Sequence, residues 1–346
     1  MPHIRAPADL PELVKAAFSK ARRDGDLHYF PTQVTILTAN SIPFQLRYSP
    51  ALANKPKGPP PDPASPHRPI DPFDDPPPAL RLTDVGPAHF LVLNKFAVVP
   101  EHFILATKPF KPQTHLLEAP DLEATLACIH AYEDARTGAD AHNQHGLFAF
   151  FNSGDHSGAS QPHRHIQLLP ISRMRDGLDP ATPWTVMADR LGPSSSSLSH
   201  RAPFATFTEA IRLGMPAGEL HAAYLRLYRR AWRAVTRYST TATTTTTTQG
   251  TGEAPGQGEA LMSYNMAMTK STLVLSPRVA EGAKIVAPDG HVLGSLSLNG
   301  TVLAGTALVK SELEWEVLKR DADGLARVLR GIGIPSEEVD ECDGNL

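Results

Sequence analysis

Cysteine is nearly absent from this sequence, which has only Cys128 and Cys342 among its 346 residues. Two cysteines so far apart, with no Cys-x-x-Cys pair, provide neither a disulfide framework nor a cysteine-based zinc site. Such a composition is typical of a reducing compartment. We therefore expect the protein in the cytoplasm, with the nucleus as the alternative.

Long hydrophobic runs and a strong net charge are also lacking. No segment approaches the ~18 consecutive apolar residues of a membrane helix, and the N-terminal residues lack the apolar region of a secretory signal. The formal net charge is −3, so no global charge attracts nucleic acid or an anionic membrane. Any affinity for anions must therefore come from a local site.

Apolar residues at helical spacing predict three longer helices, over residues 9–24, 121–135 and 217–237. Alternating or continuous apolar runs predict strands between them. These predicted strands cover residues 33–38, 43–49, 89–94, 102–108, 147–152, 261–269, 271–276 and part of 291–309. Strands and helices do not alternate regularly, which predicts an α+β fold with a mainly antiparallel sheet flanked by helices.

Two segments of biased composition divide the chain. Residues 56–78 contain 11 of the 33 prolines, which predicts a long extended loop outside any sheet. Residues 238–260 are rich in threonine and glycine and have little apolar content, which predicts a disordered insertion. We expect a catalytic region over 1–237 and a C-terminal part over 261–346 that completes the same domain.

The segment SGASQPHRHIQLL, residues 157–169, combines a small polar loop with alternating polar side chains. Side chains on a strand alternate between its two faces, so His163, His165 and Gln167 share one face. Arg164 and Ile166 point to the other face. The shared face must therefore line a site or meet solvent.

Three interpretations of this face are open from the residues alone. It is a solvated strand surface, a metal site with two histidine ligands, or a nucleophile with supporting groups. No cysteine or carboxylate pair follows the motif to complete a metal site. A neutral imidazole is a good nucleophile toward phosphorus, and the preceding loop, with Gly154 and Gly158, can bind phosphate through its backbone amides.

The longer stretch FFNSGDHSGASQPHRHIQLLP resembles the signature of the ATP adenylyltransferases, the diadenosine tetraphosphate phosphorylases of the histidine-triad (HIT) superfamily. The similarity extends to VLNKFAVVPEHFILATK, the region of Gln113, SYNMAMTKSTLVLSPR and SLNGTVLAGTALVK. This resemblance implies a HIT-like fold with two related halves, as in the galactose-1-phosphate uridylyltransferases. Members of that second branch often bind zinc through a Cys-x-x-Cys pair, which this chain lacks.

The resemblance implies phosphorolysis of diadenosine tetraphosphate to ATP and ADP through an adenylyl-histidine. His165 would be the nucleophile, His163 would orient it, and Gln167 would bind the phosphoryl oxygens. Phosphorolysis of adenosine 5′-phosphosulfate to ADP and sulfate is a further implied activity. The alternatives are another nucleotidyltransferase of the superfamily, similar to the uridylyltransferases, and a nucleotide-binding protein without turnover.

The implied partners are a dinucleoside polyphosphate, ATP, ADP and inorganic phosphate, with neither nucleic acid nor membrane. A divalent cation, Mg²⁺ or Mn²⁺, would be held by the substrate phosphates, and we expect no metal site formed by the protein. Both a monomer and a dimer fit the sequence. The substrate-binding residues implied by the resemblance are Lys55, Asn94, Lys95, Asn152, Ser153, Gly154, Ser157, Gly158, Ala159, Ser160, Gln161, Asn299, Gly300, Thr301 and Lys310.

Overall fold

The computed structural model describes residues 3–54, 71–135, 146–192, 202–242, 254–286 and 290–336. Within these ranges the α-helices are α1 (Leu10–Asp24), α2 (Ala119–Asp134), α3 (Ile171–Met174), α4 (Met187–Arg190), α5 (Ala217–Ala242), α6 (Glu312–Arg320) and α7 (Gly324–Arg330). Short 3₁₀ helices cover Pro50–Asn54 and Gly300–Ala304. The three longer helices predicted from apolar spacing are confirmed as α1, α2 and α5.

The described strands are β1 (His28–Tyr29), β2 (Gln33–Ala39), β3 (Ile42–Tyr48), β4 (Arg81–Val85), β5 (His89–Leu93), β6 (Phe96–Ala97), β7 (Phe103–Thr107), β8 (Leu147–Ser153), β9 (His165–Pro170), β10 (Phe207–Ala210), β11 (Ser263–Met268), β12 (Thr272–Arg278), β13 (Gly282–Val286), β14 (Val292–Ser297) and β15 (Thr306–Val309).

Eight of these strands form one sheet in the order β10-β12-β11-β8-β9-β7-β5-β4. Every neighbouring pair in this sheet is antiparallel. Three smaller sheets accompany it, formed by β15-β3-β2, by β13-β14 and by β1-β6. The α+β fold with a mainly antiparallel sheet is confirmed.

The two faces of the large sheet pack against different partners. Apolar residues of α1, α2 and α5 cover one face, where they meet Ile166 and Leu168 of β9. The other face contributes Phe148, Phe150 and Leu169 to a second core, which includes the three-stranded sheet, α6 and α7. Because adjacent residues of β8 and β9 enter opposite cores, the register of both strands is strongly determined.

Local sequence signals explain where the first two helices begin and end. Pro11 lies in the first turn of α1, where its missing N–H is tolerated, and Gly25 ends that helix with a φ of 82°. At the start of α2, Glu118 and Asp121 form a reciprocal capping box. These residues mark the two ends of α1 and the start of α2.

The two segments of biased composition reach further into the fold than their composition indicates. Residues 56–70 of the proline-rich segment and residues 243–253 of the threonine-rich segment lie outside the described residues. However, α5 continues to Ala242, beyond the expected boundary at 237. Residues 254–260 also belong to the fold, since Leu116 N–H donates to Gly258 O at 2.8 Å and Ala260 N–H donates to Thr114 O at 3.0 Å.

No helix among the described residues is both long enough and apolar enough to cross a membrane.

Candidate active site

The motif strand β9 lies inside the large sheet, between β7 and β8. Gln167 is paired with Ile104 of β7 and with Phe150 of β8. On the opposite face, the buried Arg164 reaches α2, where it donates to Asp121 at 2.8 Å. The alternation expected from the sequence is confirmed, since Ile166 and Leu168 enter the helix-side core.

The two ring nitrogens of His165 have different environments. Its Nδ1 lies 2.7 Å from the carbonyl oxygen of His163, so this nitrogen carries the proton and donates it. Its Nε2 has no hydrogen-bond partner among the described residues and therefore keeps its lone pair. Burial lowers the pKa of His165 to about 4, which keeps the ring neutral. An unprotonated imidazole nitrogen of this kind can act as a nucleophile.

Gln113, which is buried, fixes the backbone at the start of β9. Its Oε1 accepts from the His165 N–H at 2.8 Å, and its Nε2 donates to the carbonyls of Asn152 at 2.8 Å and His165 at 3.2 Å. One side chain therefore joins the histidine strand to the end of β8. This bridge limits movement of His165 relative to the loop that follows Asn152.

His163 is held at both ring nitrogens. Its Nδ1 lies 2.6 Å from the Asp71 carboxylate. Its Nε2 lies 2.8 Å from the carbonyl oxygen and 3.0 Å from the hydroxyl of Thr107. The ring is buried and both nitrogens are occupied, so His163 has no free nitrogen for a substrate. Its carbonyl, which accepts from His165, is the atom that it contributes to the site.

A chain of hydrogen bonds orients the amide of Gln167. The Phe96 N–H donates to Asn94 Oδ1 at 2.9 Å, and Asn94 Nδ2 lies 3.3 Å from His102 Nδ1. Nδ1 of His102 is then an acceptor, and its Nε2–H donates to Gln167 Oε1 at 2.6 Å. Burial lowers the pKa of His102 to about 4, so it stays neutral. No hydrogen bond among the described residues occupies the N–H groups of the Gln167 amide.

A cavity of about 330 Å³ lies beside Gln167, between the large sheet and the three-stranded sheet. Apolar side chains form much of its wall, together with polar groups and a few charges. Its lining residues include His102, Gln167, Arg47, Glu281, Phe96 and Leu308. The expected substrate-binding residues in the lining are Asn94, Asn152, Gly158, Ser160, Asn299, Thr301 and Lys310.

Two glycines allow β8 and the loop after it to approach the segment around Asn299. A Cβ on Gly158, whose φ is 77°, would lie 2.8 Å from the Asn299 Cβ. A Cβ on Gly300 would lie 2.7 Å from Phe150. Any side chain at either position would force the two segments apart. The fold thus brings together two regions of the sequence that were singled out separately.

Asn152 presents a donor to the cavity. Its Oδ1 accepts from Gly300 N–H and from Asn265 Nδ2, both at 2.9 Å. The oxygen is occupied twice, whereas the NH₂ group has no hydrogen-bond partner in the part of the chain that the structure describes. Asn152 and Gln167 therefore both offer amide donors, which suits the oxygens of a phosphoryl group.

Several expected substrate-binding residues do not line this cavity. Ser157 is buried, and its hydroxyl donates to Gly154 O at 2.6 Å, so it stabilises the loop from within. Ser153 is also buried, while Lys95 is exposed. Gly154, Ala159, Gln161 and Gly300 are likewise outside the lining. Lys55 lies outside the described residues.

The sequence interpretation missed four residues that the structure places in the site. His102 orients Gln167, Gln113 fixes the His165 backbone, and Asp71 and Phe73 contact the two histidines. His102 and Gln113 lie in regions that the resemblance already included. Their spacing gave no signal, because their partners depend on strand register and loop closure.

No group of three or more histidine, cysteine, aspartate or glutamate side chains that could hold a metal ion occurs in the described part of the chain.

Comparisons with known proteins match both parts of the chain. Residues 2–187 match the family model of the Ap4A phosphorylase N-terminal domain, where Ap4A is diadenosine tetraphosphate. Residues 200–335 match the ATP adenylyltransferase C-terminal domain. Among curated proteins, diadenosine tetraphosphate phosphorylase 2 of Saccharomyces cerevisiae is 27% identical over 342 residues, which cover 95% of each chain. Protein APA1 of the same yeast is 30% identical over 173 residues, which cover 48% of this chain and 50% of that protein.

Solved structures show the same fold. The crystal structure of yeast Ap4A phosphorylase Apa2 aligns with a TM-score of 0.68 at 24% identity, and the alignment covers 96% of this chain and 99% of that chain. The structure of Apa2 in complex with Ap4A aligns with the same TM-score and identity over 94% of this chain and 98% of that chain. These alignments confirm the α+β fold, which this chain shares with Apa2.

Proposed function

Because the chain belongs to the Ap4A phosphorylase and ATP adenylyltransferase family, we propose that it cleaves diadenosine tetraphosphate with inorganic phosphate to give ATP and ADP. One observation carries this proposal: His165 Nδ1 donates to the His163 carbonyl at 2.7 Å, which leaves Nε2 of this buried, neutral ring as the nucleophile, on the same face of β9 as Gln167. The chain is accordingly a nucleotidyltransferase. Its cytoplasmic location remains a prediction from the sequence.

In the first step, Nε2 of His165 forms a bond to the α-phosphorus, and the bond from that phosphorus to the bridging oxygen breaks. The electron pair leaves with the oxygen on ATP. The His165 ring becomes positively charged, and its Nδ1–H remains donated to the His163 carbonyl, which stabilises the charge. The product of this step is an adenylyl-histidine.

The phosphoryl oxygens carry negative charge that shifts during the reaction, and they need hydrogen-bond donors to stabilise it. The orientation of the Gln167 and Asn152 amides directs their N–H groups toward the cavity. Lys310, which is exposed at the cavity, supplies a cation for the polyphosphate. In the second step an oxygen of inorganic phosphate attacks the same phosphorus, the bond to Nε2 breaks, and ADP leaves.

A divalent cation would be held by the substrate phosphates rather than by the protein. Glu281 is the only carboxylate among the lining residues described, and one carboxylate does not make a metal site. When bound, Mg²⁺ or Mn²⁺ would neutralise polyphosphate charge and so ease attack by an anionic acceptor.

Radiolabelled inorganic phosphate tests the proposal directly. The enzyme, Ap4A, MgCl₂ and labelled phosphate are incubated together, and the nucleotides are separated. The expected result is one ATP and one ADP per substrate, with the label confined to ADP. Unlabelled products consisting of two ADP, or of AMP plus ATP at saturating phosphate, would mean hydrolysis. UDP-glucose with galactose 1-phosphate serves as the parallel assay for the uridylyltransferase alternative, and exchange there without Ap4A cleavage would overturn the proposal.

The same label tests adenosine 5′-phosphosulfate, which we propose as a second substrate. Its single phosphorus carries the adenosine and a sulfate leaving group, so attack by His165 gives the same adenylyl-histidine. Labelled ADP is the expected product. Sulfate release without labelled ADP would exclude this activity.

Replacing His102 with alanine is expected to lower kcat by about 10- to 100-fold, because Gln167 loses the donor that fixes its amide orientation. KM for Ap4A should change much less, since the cavity wall is otherwise retained. Steady-state kinetics measures both constants. His130→Ala is the matched control, because His130 is exposed on α2 and pairs with Asp134 at 2.7 Å. Equal losses in the two variants would contradict the role of His102.

The pH dependence of adenylylation should reflect the lowered pKa of His165. The imidazole must be unprotonated to attack. Because its pKa is about 4, the ring stays unprotonated at pH values well below the ordinary histidine pKa of 6.5. The rate of ATP release in the absence of phosphate is therefore expected to hold within about twofold from pH 8 down to pH 5.5. Single-turnover mixing measures this rate without titrating the acceptor phosphate. A loss of half the rate near pH 6.5 would contradict the neutral, buried nucleophile.

A further inference from the structure

The ring of Phe73 lies on the proposed nucleophile. Its centroid is 5.1 Å from that of the His165 imidazole, with the two planes inclined at 32°. It also meets His163 edge-on at 5.6 Å. Phe73 is 5% exposed and His165 is 2% exposed, so the phenyl ring removes one face of the imidazole from solvent.

Asp71 fixes this placement with a single carboxylate. Its Oδ1 accepts from the Phe73 N–H at 2.9 Å, and its Oδ2 accepts from His163 Nδ1 at 2.6 Å. The intervening Pro72 restricts the backbone between them. The position of the phenyl ring is thus tied to the same histidine whose carbonyl orients His165. A ring held in this way is part of the site rather than a chance contact.

We infer that Phe73 determines the acceptor of the adenylyl group, by keeping water from the adenylyl-histidine while phosphate enters through the cavity beside Gln167. The inference rests on the proposed function. Two physical effects act together. A closed apolar wall protects a reactive intermediate from hydrolysis, and an aromatic face within about 6 Å stabilises the cationic ring of the intermediate.

The two fates of the intermediate differ only in the attacking oxygen. In phosphorolysis, a phosphate oxygen bonds to the phosphorus, the electron pair of the broken bond returns to Nε2 of His165, and ADP is released. In hydrolysis, water supplies the oxygen, one proton passes to solvent, and AMP is released. The ratio of AMP to ADP therefore measures which acceptor reaches the intermediate, independently of the rate of the first step.

The experiment compares wild type, Phe73→Leu and Phe73→Ala with Ap4A at a fixed, saturating phosphate concentration. Phe73→Ala is expected to raise the ratio of AMP to ADP by about tenfold or more, because it opens the imidazole face. Phe73→Leu keeps an apolar cover and should show a smaller rise. With phosphate omitted, the adenylyl-enzyme of Phe73→Ala should release AMP faster than that of wild type by a similar factor.

Phe110→Ala is the matched control. The ring centroid of Phe110 lies 5.3 Å from that of His163, no ring contact joins Phe110 to His165 among the described residues, and Phe110 is 58% exposed. Its AMP to ADP ratio should equal that of wild type. A lower rate with an unchanged ratio in Phe73→Ala and Phe73→Leu would overturn the inference while leaving the proposed function standing. If Phe73→Ala does not fold, Phe73→Leu alone decides. Absence of labelled ADP in wild type would instead reject the proposed function.

Discussion

Replacing His165 with alanine is expected to reduce Ap4A turnover by at least ~10⁴-fold, because no other group in the site replaces its Nε2 as the nucleophile. The neighbouring His163 cannot substitute, since Asp71 and Thr107 occupy both of its ring nitrogens. Labelled Ap4A, quenched with alkali after a single turnover, measures the adenylyl-enzyme as acid-labile label on the protein. Wild type should carry this label and His165→Ala should not.

His165→Asn separates the chemistry of this position from its packing. Asparagine fills part of the same space, and its amide can donate to the His163 carbonyl, but it cannot form a bond to phosphorus. The His165→Asn variant should therefore unfold at nearly the wild-type temperature and be as inactive as His165→Ala. Wild-type turnover in either variant would place the nucleophile elsewhere.

Replacing Asp121 with alanine is expected to lower the free energy of unfolding by about 3–5 kcal/mol, because it leaves two buried partners without their carboxylate. Asp121 lies behind the histidine strand, where it accepts from His89 Nε2 at 2.7 Å and from Arg164 Nη1 at 2.8 Å. Burial by itself raises the pKa of Asp121, but the bond from His89 and the charge of Arg164 outweigh it and lower the pKa. Denaturant titration measures the loss.

Asp134→Ala is the matched control, because Asp134 ends the same helix and pairs with His130 at an exposed position. Its effect should stay within about 0.5 kcal/mol. Since the pKa of Asp121 is lowered, its contribution is present above the ordinary value of 3.8 and is lost as the pH falls below it. Equal stabilities of Asp121→Ala and wild type at neutral pH would show that Glu118, which also accepts from Arg164 at 2.9 Å, is sufficient.

Periodicity predicted the main elements because it is a local property of the backbone. The alternation in HRHIQLL assigns Arg164, Ile166 and Leu168 to one face, and the structure places them against α2 and the helix-side core. Local caps, such as Gly25 after α1, likewise follow from the residue itself. The threonine-rich segment shows the limit of this reasoning. Its composition cannot reveal that residues 258 and 260 bond to the backbone near Leu116.

The sequence by itself determined which side chains share the reactive face, and the resemblance nominated His165 among them. Only the tertiary structure decided how those side chains are held. Gln167 is oriented by His102, 65 residues away, and His163 by Asp71, 92 residues away. Alternation of side chains is set within a few residues of strand, whereas these partners are brought together by strand register and by the path of the last part of the proline-rich segment, which contains Asp71. For that reason, the proton on His165, the free end of the Gln167 amide and the cover provided by Phe73 are properties of the fold.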